Sequence, residues 1–206
     1  MIIKNIVFDV GDVLVRFRWR ELMQDLNFTE EEIEFLGKNM VQTEYWSQLD
    51  EGVHSCDEAP EHFSALYPQY TDQIHRFWDN LVDIVKQFPY ADSLIRSLKN
   101  QGYGVYLLSN YPEQAAEMHW SKFTFMDVLD GCIISALEKL IKPDHRIFQI
   151  LHSRFGLELS ECIFIDDRDV NVKAANEVGM HGIQFTSYKD LQAKLKEIGI
   201  EIPNEV

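Results

Sequence analysis

Six side chains with reactive or charged groups follow short apolar runs in this chain. Asp9 follows Ile6-Val7-Phe8, Ser109 and Asn110 follow Val105-Tyr106-Leu107-Leu108, and Asp166 and Asp167 follow Ile163-Phe164-Ile165. Lys142, ahead of Pro143, comes a short connection after Cys132-Ile133-Ile134. Three carboxylates gathered in a water-poor cleft repel one another strongly. A hard divalent cation relieves that repulsion, and oxygen-only ligands with retained water suit Mg²⁺. The Ser109 hydroxyl and the Asn110 backbone N–H are donors for non-bridging phosphoryl oxygens, and Lys142 sets a positive charge beside the same group. Asn171 stands where it either orients the acidic turn or opens a helix. Taken singly these residues mean little, because Asp and Ser are ordinary turn formers. Their force lies in convergence.

Convergence requires a scaffold. The four apolar runs, with a fifth at Gly182-Ile183-Gln184-Phe185, alternate with helical patterns. Ala91, Leu94, Ile95 and Leu98 share a face before Gly102. Ile147, Phe148 and Leu151 do so after His145, and Val172, Ala175 and Val178 lead to Gly179. Such alternation predicts an α/β fold, a Rossmann-like parallel sheet with helices on both faces. Ligands of open α/β sheets bind beyond the carboxyl ends of the strands, where all six residues fall. Residues 16–89 break the pattern. Thr29 and Glu32 have capping-box spacing, helical segments are expected at Ala59–Leu66 and Gln73–Phe88, and turns at Glu51-Gly52 and Tyr67-Pro68. No buried strand is expected there. The chain therefore divides into an α/β core (1–15 and 90–206) and a small all-helical cap (16–89) inserted after the first strand. The cap aromatics Tyr45, Trp46, Phe77 and Trp78 are expected to pack between its helices.

Composition narrows the partner. The 206 residues are 46% hydrophobic and 12% aromatic, which is globular rather than disordered. A net charge of −15 repels phosphate backbones and anionic headgroups, so nucleic acid and membrane are not expected partners. A small phosphorylated metabolite has to be held by local cationic groups. Cys56, Cys132 and Cys162 show neither disulfide nor zinc-ligand spacing and read as small buried hydrophobes. A strand-like start without a basic, apolar leader points to a cytoplasmic location.

Four ordered segments, Phe8-Asp9-Val10-Gly11-Asp12-Val13-Leu14-Val15, Leu107-Leu108-Ser109-Asn110, Lys142-Pro143 and Ile165-Asp166-Asp167-Arg168-Asp169-Val170-Asn171, resemble the motifs of the haloacid dehalogenase (HAD) superfamily. The early helical insertion resembles the cap of its phosphatase branch, and the Asp-x-Gly first motif is most similar to that of bacterial α-D-glucose-1-phosphate phosphatases. The resemblance implies a Mg²⁺-dependent phosphomonoester hydrolase. Asp9 would attack phosphorus to give an aspartyl-phosphate that water then cleaves. It also implies metal ligation by Asp9, the Gly11 carbonyl and the Asp166–Asp167 pair, with Asp167 preferred as the direct ligand. Lys142 would neutralise the transferring group, and Asn171 would orient the acidic turn.

One departure matters. Phosphatases of this superfamily usually carry a second Asp two residues after the nucleophile, where this chain has Gly11. Such acid–base help is worth about 10²–10⁴-fold, or roughly 3–5 kcal/mol of barrier. Asp12, Glu51 and His54 are candidate replacements, each with an ordinary loop or packing role as the alternative, and His119 is expected on a helix face. A weakly basic leaving group would also compensate, which favours an anomeric sugar phosphate. Two rivals remain: a 2-haloacid dehalogenase, which would leave the acidic pair without a purpose, and a non-catalytic phosphate-ligand-binding HAD protein.

Overall fold

Ile6, Val7 and Phe8 are fully buried, and that double-sided burial is why their run is continuously apolar. In the computed structural model, which describes residues 2–204, they form β1 (Asn5–Phe8). The remaining strands are β2 (Val15–Phe17), β3 (Val85–Gln87), β4 (Gly104–Ser109), β5 (Gly131–Ile134), β6 (Cys162–Asp166) and β7 (His181–Gln184). Five of them form a parallel sheet in the order β5-β4-β1-β6-β7. Successive side chains point to opposite faces. Ile6 and Phe8 therefore join Leu107, Ile163 and Ile165 on one side, against helices Ala91–Asn100 and Tyr188–Glu197. Val7 joins Leu108 and Phe164 on the other, against helices His145–Phe155 and Asp169–Glu177. All five expected strands are present.

Between β2 and β3 the chain is helical, at Trp19–Asp25, Glu30–Leu36, Glu44–Asp50, Ala59–Leu66 and Thr71–Asp79. The capping box forms: Thr29 accepts from the Glu32 N–H while Glu32 reaches back to the Thr29 N–H. Two expectations need correcting. The helix read through Gln73–Phe88 stops at Asp79, and a short antiparallel ribbon of β2 and β3 stands where no strand was expected. Tertiary pairing overrides the local pattern here. Arg18 N–H donates to the Ile84 carbonyl at 2.8 Å and Phe88 N–H to that of Leu14 at 3.0 Å, closing the ribbon at both ends.

We propose the division at 15/16 and 89/90 as core and cap, because the ribbon is where the chain leaves the sheet and returns. One apolar cluster runs through both, from Ile33, Leu36 and Phe77 to Leu94 and Ile95. Cys56, Cys132 and Cys162 are unpaired thiols, and Cys56 and Cys162 are buried. Among the described residues no helix is long and apolar enough to cross a membrane.

Candidate active site

β1 lies between β4 and β6 with Phe8 level with Leu107 and Ile165, so three strand ends bring Asp9, Ser109 and Asp166 to one edge. Asp9 is anchored by its own N–H, which donates to the Ile165 carbonyl at 2.8 Å. Lys142 enters from the loop that follows β5 and the short helix Ser135–Glu138. Asn110 fixes that loop from both sides: its Nδ2 donates to the Lys142 carbonyl at 3.0 Å, and its Oδ1 accepts from the Lys142 N–H at 2.8 Å. Asn110 is thus brought to the site, with its side chain committed to holding Lys142.

The Lys142 ammonium is only 2% exposed and has three partners, each at 2.8 Å: Asp9 Oδ1, Asp166 Oδ2 and the Leu108 carbonyl. Burial pulls its pKa down, but Asp9 and Asp166 outweigh this and hold it above the usual lysine value. Ser109 Oγ donates to Asp9 Oδ1 at 3.2 Å. Asp166 is fully buried and occupied, accepting from Lys142, from Asn171 Nδ2 at 3.1 and 3.0 Å and from the Arg168 N–H at 2.8 Å. Asp167, half-buried, also faces the cavity.

Asp9, Asp166 and Asp167 each offer an oxygen within 4.8 Å of the others. One ammonium cannot neutralise three carboxylates, so burial first, then mutual repulsion with Asp166, pushes Asp9 to about 6 despite Lys142. The same causes, burial and then Asp9, push Asp167 to about 7. Asn171 Oδ1 is buried with no hydrogen-bond partner in the same wall. A clustered oxygen donor set and an acceptor awaiting a donor, such as a metal-held water, fit a hydrated hard cation. Gly11 lines the cavity beside them.

The cap supplies a carboxyl that the sequence reading passed over. Asp50 ends helix Glu44–Asp50 and lines the same 210 Å³ cavity as Asp9, Lys142 and Asp167. Burial, then the Asp9 charge, raises its pKa to about 7, against opposing help from Lys142 and Arg168. Its position is enforced. Ser135 Oγ donates to the Asp50 carbonyl and accepts from the Tyr111 N–H, and Lys139 Nζ donates to the Gly52 carbonyl. Gly52 has φ +72° and a Cβ there would stand 2.4 Å from the Ala136 carbonyl oxygen, so only glycine admits this approach.

The other candidate replacements have different work. Asp12 also lines the cavity, but at φ 50° its Oδ1 accepts from the Phe17 N–H at 3.0 Å and braces the loop. His54 stacks on Tyr45 at 4.5 Å, and neither it nor Glu51 lines the cavity. His119 is buried with both ring nitrogens engaged, by Tyr111 Oη at 2.6 Å and the Leu81 carbonyl at 3.0 Å. The cap aromatics pack as expected, and Trp46 and Trp78 also wall the cavity.

Comparison with known proteins finds relatives over most of the chain. A sesquiterpene phosphatase of Aspergillus oryzae is 30% identical over 187 residues, covering 89% of this chain and 90% of its own length. A D-ribitol-5-phosphate phosphatase of Bacteroides thetaiotaomicron is 27% identical over 210 residues, covering 95% and 98%. A solved HAD family enzyme from Bacteroides thetaiotaomicron shares the fold with TM-score 0.73 and 24% identity, over 95% of this chain and 99% of that one. That enzyme has also been solved as a complex with magnesium and inorganic phosphate. The family described as haloacid dehalogenase-like hydrolase matches residues 3–179, and this chain belongs to it.

Proposed function

We propose that this hydrolase is a Mg²⁺-dependent phosphomonoesterase that works through a phosphorylated Asp9. The observation that carries the reading is the buried Lys142 ammonium fixed between Asp9 and Asp166, beside three carboxylates whose oxygens lie within 4.8 Å. Magnesium, held by Asp9, the Gly11 carbonyl and Asp167 with Asp166 close behind, would neutralise charge on the transferring phosphoryl group. The solved relative with magnesium and phosphate supports that choice of ion. A carbon–halogen hydrolase has no use for such an acidic cluster.

A carboxylate oxygen of Asp9 attacks phosphorus, and the bond from phosphorus to the alcohol oxygen breaks. Ser109 Oγ and the Asn110 N–H bind the non-bridging oxygens, and Lys142 holds positive charge at Asp9 throughout. The departing alkoxide takes its proton from Asp50, which fills the role that Gly11 cannot. In the second step Asp50, now ionised, accepts a proton from water as that water displaces Asp9 from phosphorus. Orthophosphate leaves and both aspartates return to their starting states. With a pKa raised to about 7, Asp50 carries the proton at the operating pH and can take it back.

The relatives' names span a terpenoid and a pentitol phosphate, so they support a phosphomonoester without fixing its alcohol. An anomeric sugar phosphate stays within the proposed range, but the reason for preferring it weakens once Asp50 supplies a proton. The test is phosphate release with Mg²⁺ across sugar, nucleotide, alkyl and aryl monophosphates, beside Asp9→Asn. Turnover that chelation abolishes and that Asp9→Asn lacks is the expected result. No release from any ester, or full activity in Asp9→Asn, overturns the reading. A ligand-raised melting temperature without release would instead mark a binding protein.

A further inference from the structure

We infer that the alcohol carried by the substrate is compact and mainly hydrocarbon, with at most one hydroxyl inside the cavity, because the cavity in front of Asp9 is walled by Phe17, Trp46, Leu49, Trp78, Leu81 and Ile84. The inference deepens the phosphomonoesterase reading and rests on it. Trp46 is the centre of this wall, with its ring 5.9 Å from Phe17 and 5.5 Å from Trp78.

One neutral donor in the wall is unpaired: Trp78 Nε1–H is buried with no hydrogen-bond partner and can serve a single acceptor oxygen. Both nitrogens of His119 are engaged, by Tyr111 Oη and the Leu81 carbonyl, and Asp12 holds the Phe17 N–H. Asp50 and Arg168 remain, and both belong to the phosphoryl end: Asp50 interacts with the Asp9 and Lys142 charges, and Arg168 follows Asp167. Beyond the one oxygen that Trp78 Nε1 can serve, each sugar hydroxyl pushed against the apolar wall would lose its water and gain no partner, whereas a methylene loses nothing by leaving water. Size sets the upper limit. An apolar cavity of about 150 Å³ holds one benzene, so the 210 Å³ here takes a phosphoryl group and about one ring or five to six carbons.

The experiment is a series of n-alkyl monophosphates from methyl to pentyl, with glycerol 1-phosphate and phenyl phosphate as references, all with Mg²⁺. Each added methylene should raise kcat/KM about fourfold until the cavity is full. Glycerol 1-phosphate should fall at least tenfold below butyl phosphate. Leu81→Asn, which plants an amide in the wall, should cut the pentyl-to-methyl ratio at least tenfold. A flat series, or glycerol 1-phosphate equal to butyl phosphate, overturns the inference while leaving the phosphatase reading intact. If no ester is hydrolysed, that reading fails instead, and the pocket is read by titrating the wild type with 1-pentanol. Because Trp46 and Trp78 wall the cavity, a saturable change in tryptophan emission keeps the apolar pocket, and no change overturns it as well.

Discussion

Lys142→Met is a direct test of how this site is held together. Methionine keeps much of the lysine's length and volume but removes the charge and all three donors. Asp9, Asp166 and the Leu108 carbonyl each lose a partner at 2.8 Å. Asp166 has no access to water, so its remaining bonds from Asn171 and the Arg168 N–H must carry a buried charge alone. Removing one partner of a buried ion pair costs about 3–5 kcal/mol. A chain of this size loses about 2–4 °C of melting temperature per kcal/mol, so the metal-free variant should melt roughly 6–20 °C below wild type. The lysine's own desolvation works the other way, since methionine has none to overcome, which places the outcome nearer the lower end. The assay is calorimetric or circular-dichroism melting in EDTA at about pH 8, where the carboxylates are ionised. Lys142→Met/Asp166→Asn should recover part of the loss, because replacing both partners leaves no orphaned charge there. A single variant that melts within about 2 °C of wild type, or above it, refutes the claim that Lys142 holds the acidic edge together.

Two further outcomes follow from the same electrostatics. Asp9, Asp50 and Asp167 are raised by burial to about 6, about 7 and about 7, above the ordinary carboxylate value they regain on unfolding. The native metal-free protein therefore binds more protons than the unfolded chain, and this stability, fully present below the ordinary carboxylate value, is lost progressively as pH rises from there through about 6–7. His119, whose pKa burial lowers, acts oppositely but is one group against three. Melting in EDTA should fall from about pH 5.5 to pH 8, and Mg²⁺ should restore stability most at the alkaline end; a metal-free melting temperature that rises over this range contradicts the argument. Asp50→Asn should lower kcat/KM for an alkyl phosphate about 10²–10⁴-fold, and far less for p-nitrophenyl phosphate, whose leaving group needs no proton. Equal losses on both esters would mean that Asp50 only shapes the cavity.

The sheet was legible because burial on both faces writes a continuous apolar run, and Ile6-Val7-Phe8 or Ile163-Phe164-Ile165 has no other economical reading. The residues at the strand ends were legible for the same reason, since a parallel topology brings such ends together whatever the loops do. The ribbon was not. Three-residue strands with half-exposed members leave no periodicity, and β3 lies inside the helical pattern of Gln73–Phe88.

Asp50 is the instructive case. The turn at Glu51-Gly52 is legible and points to Glu51 as an acid, yet the neighbouring residue faces the cavity. Trp46, Leu49 and Asp50 stand at i, i+3 and i+4 of one short helix and so share a face, whereas Glu51 lies about 100° further round. Trp46 and Leu49 wall the cavity and carry Asp50 into it. An aspartate that continues an apolar helical stripe is expensive to bury without a purpose. Applied to the cap alone, that rule would have found in the sequence the carboxyl that Gly11 leaves missing.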